Sequence, residues 1–205
     1  MTAAASPATA QPSTAVEPNF SPAFSQALQT LLTPQADYNQ KQAAWKQLRE
    51  GGYLDQVIAE MERRTAEDPS DAVSLAVLGQ AYLAKSMTVQ DILEKGTWVM
   101  KADGTFDEAL RLDPNNWEAR FLKADVLSHF PPEFKKSPVV IENLVTLIEQ
   151  QEAQSPQPQF AQTYILLGEQ YQKAGYTDDA RATWQRGATL FPDNDTLRQK
   201  LAVSP

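Results

Sequence analysis

The stretch over residues 161–194 constrains the fold of this chain more than any other. Its first half carries four residues at steps of three, one and three, the spacing of one helix face: Tyr164, Leu167, Gly168 and Tyr171. Its second half places another such face on the chain, formed by Ala180, Trp184, Gly187 and Ala188. The pattern therefore predicts two amphipathic helices joined by a short turn.

Residues with special backbone preferences separate and end these two helices. Gly175 suits the left-handed conformation that ends the first helix, and Thr177 or Asp178 is expected to cap the second. Pro192 cannot continue a helix, so it stops the second one. Gly168 is small at a point where two antiparallel helices would touch, so their backbones can approach closely.

Together these positions resemble the tetratricopeptide repeat (TPR), whose signature is aromatic-x2-Leu-Gly-x2-Tyr, then Ala-x3-aromatic, then Pro. Gly187 is the one departure, since the family usually has Ala there. One such unit cannot bury its apolar face alone, so neighbouring units must stack on it. The resemblance implies an all-α, right-handed α-solenoid of TPR-like helix-turn-helix units.

Three earlier units are expected over residues 38–71, 72–116 and 117–160. The 72–116 unit matches the last one position for position in its first helix, with Leu75, Leu78, Gly79 and Tyr82. It carries extra residues between its halves, which predicts a second helix longer than the family norm. The 117–160 unit shares that expansion, so the resemblance is to an expanded-repeat variant.

Two units depart from the pattern at positions that face a neighbour. Trp45 takes the small-residue position of Gly168, which predicts that the two helices of the 38–71 unit are pushed apart. Lys123 stands where Leu78 and Leu167 stand, so the match of the 117–160 unit is looser.

Shorter segments are expected at both ends. Residues 22–32 and 195–202 each place apolar side chains on one face and predict capping helices. Residues 1–21 are rich in Ala, Pro, Ser and Thr with Glu17 as their only charge, which predicts a disordered tail. They lack the basic and apolar regions of an intact secretory signal. The compartment stays open: soluble and cytoplasmic, or periplasmic if a leader or anchor was removed.

Composition removes several classes of function. The net charge of −8 disfavours nucleic acid and anionic lipid as main partners. No apolar run approaches the length of a membrane span. Cysteine is absent and His129 is the only histidine, which disfavours metal sites and histidine-based triads. No phosphate-binding loop or catalytic motif is present. We therefore predict neither enzymatic activity nor a cofactor.

In TPR proteins the first helix of each unit lines a concave groove, and the resemblance carries that role to specific positions here. The candidate groove residues are Ala76, Gln80, Leu83, Phe121, Asp125, Ile165, Glu169 and Gln172. The Lys, Arg and Asn pattern that grips a C-terminal carboxylate is missing. The set predicts a partner segment with apolar anchors and a basic residue or two. The alternative is that the acids are simply solvated and the apolar residues pack on neighbours.

The segment over residues 129–138 is a second candidate contact. It carries Phe130, Phe134 and three prolines, so it is predicted to be a loop. Exposed aromatic loops often contact partners. In the alternative, both rings fold back over the elongated helices.

The leading function is a non-enzymatic scaffold or adaptor that binds a protein segment, in a bacterial setting. One alternative is a structural subunit that self-associates through its repeats into a homo-oligomer, since the short C-terminal helix is expected to leave Leu197 and Leu201 poorly covered. Another is an accessory subunit of a larger enzyme or envelope complex. A TPR fold by itself names no partner.

Overall fold

A computed structural model describes residues 20–34 and 36–203. Within these ranges the chain is helical and contains no strand. The helices are α1 Pro22–Leu32, α2 Tyr38–Glu50, α3 Leu54–Glu67, α4 Ala72–Ser86, α5 Ile92–Leu112, α6 Trp117–Ser128, α7 Ser137–Glu152, α8 Ala161–Lys173, α9 Thr177–Leu190 and α10 Asp195–Val203. Short 3₁₀ turns cover Pro132–Phe134 and Pro158–Phe160. The tail expected over residues 1–21 lies outside the described residues, except for Phe20 and Ser21.

Side-chain caps start most of these helices. Asp37 and Gln40 form a reciprocal capping box on α2. Two expected caps differ from the observed ones. α9 begins after Tyr176 without a side-chain cap, so neither Thr177 nor Asp178 has that role. Asn194, rather than Asp195, accepts a hydrogen bond from the backbone N–H of Leu197 at 3.0 Å at the start of α10.

The turns within the first and last helix pairs have the same backbone. Gly52 (φ 71°) joins α2 to α3 and Gly175 (φ 85°) joins α8 to α9, both in the left-handed region. The tyrosine that follows each glycine, Tyr53 or Tyr176, donates its backbone N–H at 2.9 Å to a carbonyl near the end of the preceding helix. This is the bond pattern of a Schellman motif. The two turns therefore end α2 and α8 in the same way.

Glycines let the paired helices pack closely in two units. A Cβ atom added to Gly79 would lie 2.6 Å from the Phe106 ring. One added to Gly168 would lie 2.1 Å from Nε1 of Trp184. Each aromatic ring is fully buried, so it fills the space above its glycine. The close approach predicted from the small residue at Gly168 is thus observed, and in both units the glycine lies against an aromatic ring of the second helix.

Gly187 departs from the TPR pattern for a steric reason. A Cβ at this position would lie 2.7 Å from Cβ of Tyr164, and 3.1 Å from a methyl group of Leu197. The close approach of Tyr164 and Leu197 therefore leaves no room for the alanine that the TPR pattern usually has here.

The first unit is packed differently. Trp45 of α2 and Met61 of α3 are both fully buried in the same apolar cluster. The backbones of α2 and α3 do not approach each other as those of the other pairs do; instead α2 packs against α1 and α3 packs against α4. The separation predicted from Trp45 is therefore observed.

Two apolar clusters form the core, one from α1–α6 and the other from α6–α10, and α6 contributes side chains to both. Lys123 lies between them and is 7% exposed. Its ammonium pairs with Asp103, and with Asp107 at 3.0 Å, both on α5. The lysine that breaks the TPR pattern on α6 therefore has two carboxylate partners on the neighbouring helix, as a buried charge requires.

Candidate partner-binding groove

The predicted groove residues lie on α4, α6 and α8, the first helices of three successive units. α4 contacts α6, and α6 contacts α8, so their surfaces adjoin. Gln172 is exposed, whereas the other seven residues are half-buried. The structure thus places the set on three adjoining helices. Their role in binding stays a prediction.

The apolar members of this face also belong to the core. Leu83 packs against the first apolar cluster, and Ile165 against the second. The Phe121 ring stacks on Trp117, with ring centroids 4.9 Å apart and an interplanar angle of 5°. These side chains therefore pack on neighbours and still present an edge to solvent.

The two acidic members have different environments. Glu169 forms an ion pair with Lys200 of α10 at 2.7 Å. Among the residues that the structure describes, Asp125 makes no salt bridge. Burial raises the pKa of Asp125, and the nearby Glu169 raises it further, while His129 and Lys173 lower it. Asp125 is therefore a partly desolvated carboxylate with positive neighbours but no salt bridge among the described residues.

The start of α2 lies across the N-terminal ends of α6 and α8. The Tyr38 ring meets Trp117 edge-on at 6.2 Å, and its hydroxyl accepts a hydrogen bond from Gln162 Nε2 at 3.4 Å. Lys41 Nζ pairs with Glu118 Oε2 at 2.8 Å. Sequence analysis missed this contact because the partners are far apart along the chain and no local pattern joins them. Part of the groove is therefore covered by the chain's own helix.

A cavity of about 310 Å³ remains beneath this crossing. Its walls come from the α1–α2 connection, α4, the start of α6 and the connection into α8; Ala76 and Gln80 are among them. Trp117 contributes its ring and a buried indole Nε1 that has no acceptor among the described residues. A buried donor without an acceptor is uncommon in native proteins.

The segment over residues 129–138 divides its two aromatic rings. Phe130 packs against the second cluster and lies 5.7 Å below the Lys136 ammonium. Phe134 meets Phe130 edge-on at 5.6 Å but is 60% exposed. One ring therefore folds back as the alternative expected, and the other remains at the surface.

An exposed apolar surface that the sequence did not predict lies at the start of α5. Ile92 and Leu93 are 77% and 78% exposed. The spacing of Ile92, Ala102 and Phe106 predicts one apolar stripe along α5, but its side chains become fully buried only at Ala102. The correction follows from length, because α5 is longer than α4 and its first turns extend past that helix.

The stacked helix pairs, the glycine-to-aromatic contacts and the shared turns define a TPR-type helical repeat fold. No protein-family model matches the chain, and no curated protein matches it. Several solved structures, in contrast, are similar to it in fold. In the described residues no helix has both the length and the apolarity needed to cross a membrane.

The chain is similar to TTC0263, a thermophilic TPR protein of Thermus thermophilus, with 18% identity over 88% of this chain and 86% of that one, at a TM-score of 0.62. It is also similar to MamA from Desulfovibrio magneticus RS-1 (21% identity, 76% of each chain, TM-score 0.57). A third is YrrB, described as a TPR protein with an unusual peptide-binding site (16% identity, 88% of this chain and 81% of that one, TM-score 0.56). These likenesses confirm the predicted TPR solenoid fold, and the bacterial setting is consistent with their sources.

Proposed function

We propose that this chain is a non-enzymatic scaffold that binds a protein segment along the face formed by α4, α6 and α8. The observation that carries the proposal is Asp125, a half-buried carboxylate without a salt bridge among the described residues, on a face edged by half-buried apolar side chains. A basic residue of a partner would supply the missing counter-charge. Leu83 and Ile165 would contact the partner's apolar residues.

The fold supports this proposal physically. Stacked helix pairs hold the face in place before a partner arrives, so the scaffold loses little conformational entropy on binding. Apolar contacts would supply most of the affinity, and the carboxylate would select for a basic residue. The peptide-binding site named for YrrB is a property of that protein, and it makes peptide binding a reasonable function for this fold.

A peptide-display selection on the immobilised full chain tests the proposal. Enriched peptides are expected to combine apolar residues with Lys or Arg. They should bind at least ten-fold more weakly to the Asp125→Asn, Glu169→Gln variant, which removes two charges and keeps the side-chain shapes. The matched control is Asp178→Asn, Asp179→Asn on α9, where both residues are exposed. Enriched peptides that bind all three proteins equally would contradict the proposal.

The sequence argument for self-association, the expected exposure of Leu197 and Leu201, does not hold. Leu197 is fully buried and Leu201 is half-buried, so the face expected to be poorly covered is packed against the last unit. The accessory-subunit alternative stays a prediction, and the selection above would supply a first motif for finding such a complex.

A further inference from the structure

The start of α2 carries two side chains that complement the surface beneath it. The surface consists of Trp117 and Glu118 on α6 and Gln162 on α8, and we refer to it as the N-terminal subsite. Tyr38 and Lys41 are three residues apart, so they share one face of α2. The Tyr38 ring meets the Trp117 ring, and the Tyr38 hydroxyl meets the Gln162 amide. The Lys41 ammonium meets the Glu118 carboxylate.

We propose that the N-terminal subsite recognises a helical partner segment with an aromatic residue followed three positions later by Lys or Arg, and that α2 occupies it as a built-in competitor. This inference rests on the proposed function, since it names the partner's chemistry for one end of the same groove. It also gives the groove a closed state, in which α2 covers the subsite, and an open state, in which the partner replaces it.

The polar contact has the properties of a recognition contact. The side chains of Lys41 and Glu118 are 18% and 25% exposed, so their 2.8 Å ion pair is shielded from water more than a typical surface pair. The Tyr38 ring adds an edge-to-face contact with Trp117, a geometry that aromatic rings favour. The capping box of Asp37 and Gln40 fixes the first turn of α2 and so presents both side chains together.

The contact is also incomplete, which is why a partner could displace it. The buried side chains of α2 are Ala44, Trp45 and Leu48, all beyond its first turn. That first turn lines the 310 Å³ cavity without filling it. A partner that fills the cavity would make contacts that α2 does not make.

A labelled peptide with the sequence of residues 36–50 is the probe, held helical by a covalent bridge between the exposed positions 39 and 43. Its affinity for the full chain is measured by fluorescence anisotropy. We expect weak binding to the native chain, because α2 already covers the subsite. The Tyr38→Ala, Lys41→Ala variant should bind the peptide at least ten-fold more tightly. The control is Asn39→Ala, Lys46→Ala, two exposed positions of α2, which should bind as the native chain does.

A charge exchange tests the recognition itself. Adding Glu118→Lys to the Tyr38→Ala, Lys41→Ala variant should abolish peptide binding, and a peptide with Lys41→Glu should restore it. Equal affinity for the native chain and the double variant would overturn the competitor role. Binding that does not respond to the charge at position 118 would overturn the subsite.

The two proposals fail separately. Peptides selected from the display library could lose binding to the Asp125→Asn, Glu169→Gln variant while the 36–50 peptide binds none of the proteins. That result would leave the groove function standing and overturn the built-in competitor. If the 36–50 peptide behaves as expected while selected peptides ignore Asp125, the N-terminal subsite stands and the acidic part of the groove does not.

Discussion

The first and last helix pairs turn in the same way but pack in different ways. Gly52 and Gly175 give both pairs the same left-handed turn residue. In the last pair, Gly168 on the first helix lies beneath Trp184 on the second. In the first pair, the tryptophan is Trp45 on the first helix, and the two backbones stay apart. A shared turn therefore does not fix how closely two helices pack, and the side chains at the contact set their separation.

This difference has a consequence for the groove. α2 packs on α1, and the Tyr38 and Lys41 side chains of its first turn contact the starts of α6 and α8. A first unit with a glycine in place of Trp45 would favour the closer pairing seen in α8 and α9. One large side chain is thus associated with a helix that covers part of the predicted binding face.

Replacing Trp45 with Ala should give the largest effect. The substitution restores a small residue to the position that is glycine in two other units, yet it should destabilise the chain by about 4 kcal/mol because it leaves a cavity in the first apolar cluster. Chemical denaturation followed by circular dichroism measures the change. A more stable variant would show that α2 and α3 can close on each other, and would break the contrast between the two units.

Replacing Gly168 with Ala tests the other end of the comparison. The new Cβ would lie 2.1 Å from the buried Trp184 ring, so the helices must separate or the ring must move. We expect a loss of about 3 kcal/mol, the upper part of the range for overpacked cores. Gly104→Ala is the control, because its Cβ would meet open space within α5. It should stabilise the chain by about 0.5–1 kcal/mol, and a similar loss in both variants would refute the steric explanation.

Much of this fold could be predicted because its decisive contacts are encoded locally. Tyr164, Gly168 and Trp184 occupy a short stretch, so their spacing alone predicts which faces meet. The effect of Trp45 could also be predicted, since a large residue at a contact position separates helices whatever surrounds it. The ion pairs of Lys123 could not be predicted, because its partners, Asp103 and Asp107, lie on the second helix of the preceding unit.

The candidate site could be predicted only in part. The TPR resemblance located the face on α4, α6 and α8, since each unit repeats the same orientation. It did not show that α2 covers one end of that face, because the pairs Tyr38–Gln162 and Lys41–Glu118 join distant parts of the chain. The exposure of Ile92 was missed for a similar reason: periodicity reports a helix face, but not how far the neighbouring helix extends.

The comparison extends to two carboxylates, one in each half of the chain. Glu60 on α3 is 4% exposed and hydrogen-bonded by Arg63 and Arg64, which lowers its pKa against the opposing effect of burial. Asp125 on α6 is half-buried without a salt bridge among the described residues, and its pKa is raised. The first carboxylate is stabilised by its neighbours, whereas the second is destabilised by its surroundings.

Replacing Glu60 with Gln should cost about 2 kcal/mol at neutral pH, the scale of hydrogen bonds to a charged group. Because the folded-state pKa is lowered, this contribution is present above the ordinary Glu pKa. It is lost as the pH falls through the lowered value. Denaturation of both proteins across the acidic range measures the difference. If the difference in free energy of unfolding between the two proteins does not shrink on acidification, the shape of the Glu60 side chain, and not its charge, stabilises the fold.

Replacing Asp125 with Asn should change the free energy of unfolding in the opposite direction and by the smallest amount. We expect a gain in stability of up to about 1 kcal/mol, as for other substitutions that relieve strain at functional positions. A raised folded-state pKa means that the cost of the charge is absent below the ordinary Asp pKa. The cost appears as the pH rises through the raised value. The stability gain of Asp125→Asn should therefore grow with pH over that window, and the same variant should bind the selected basic peptides more weakly.

A more stable variant that binds less well would indicate that the carboxylate is kept for its ligand and not for the fold. If Asp125→Asn lowers stability at neutral pH, the carboxylate has a structural partner, and the contrast with Glu60 fails. If stability rises but peptide binding is unchanged, the burial of Asp125 is incidental and the binding face lies elsewhere. Measured together on one variant, stability and affinity separate these outcomes more cleanly than either does alone.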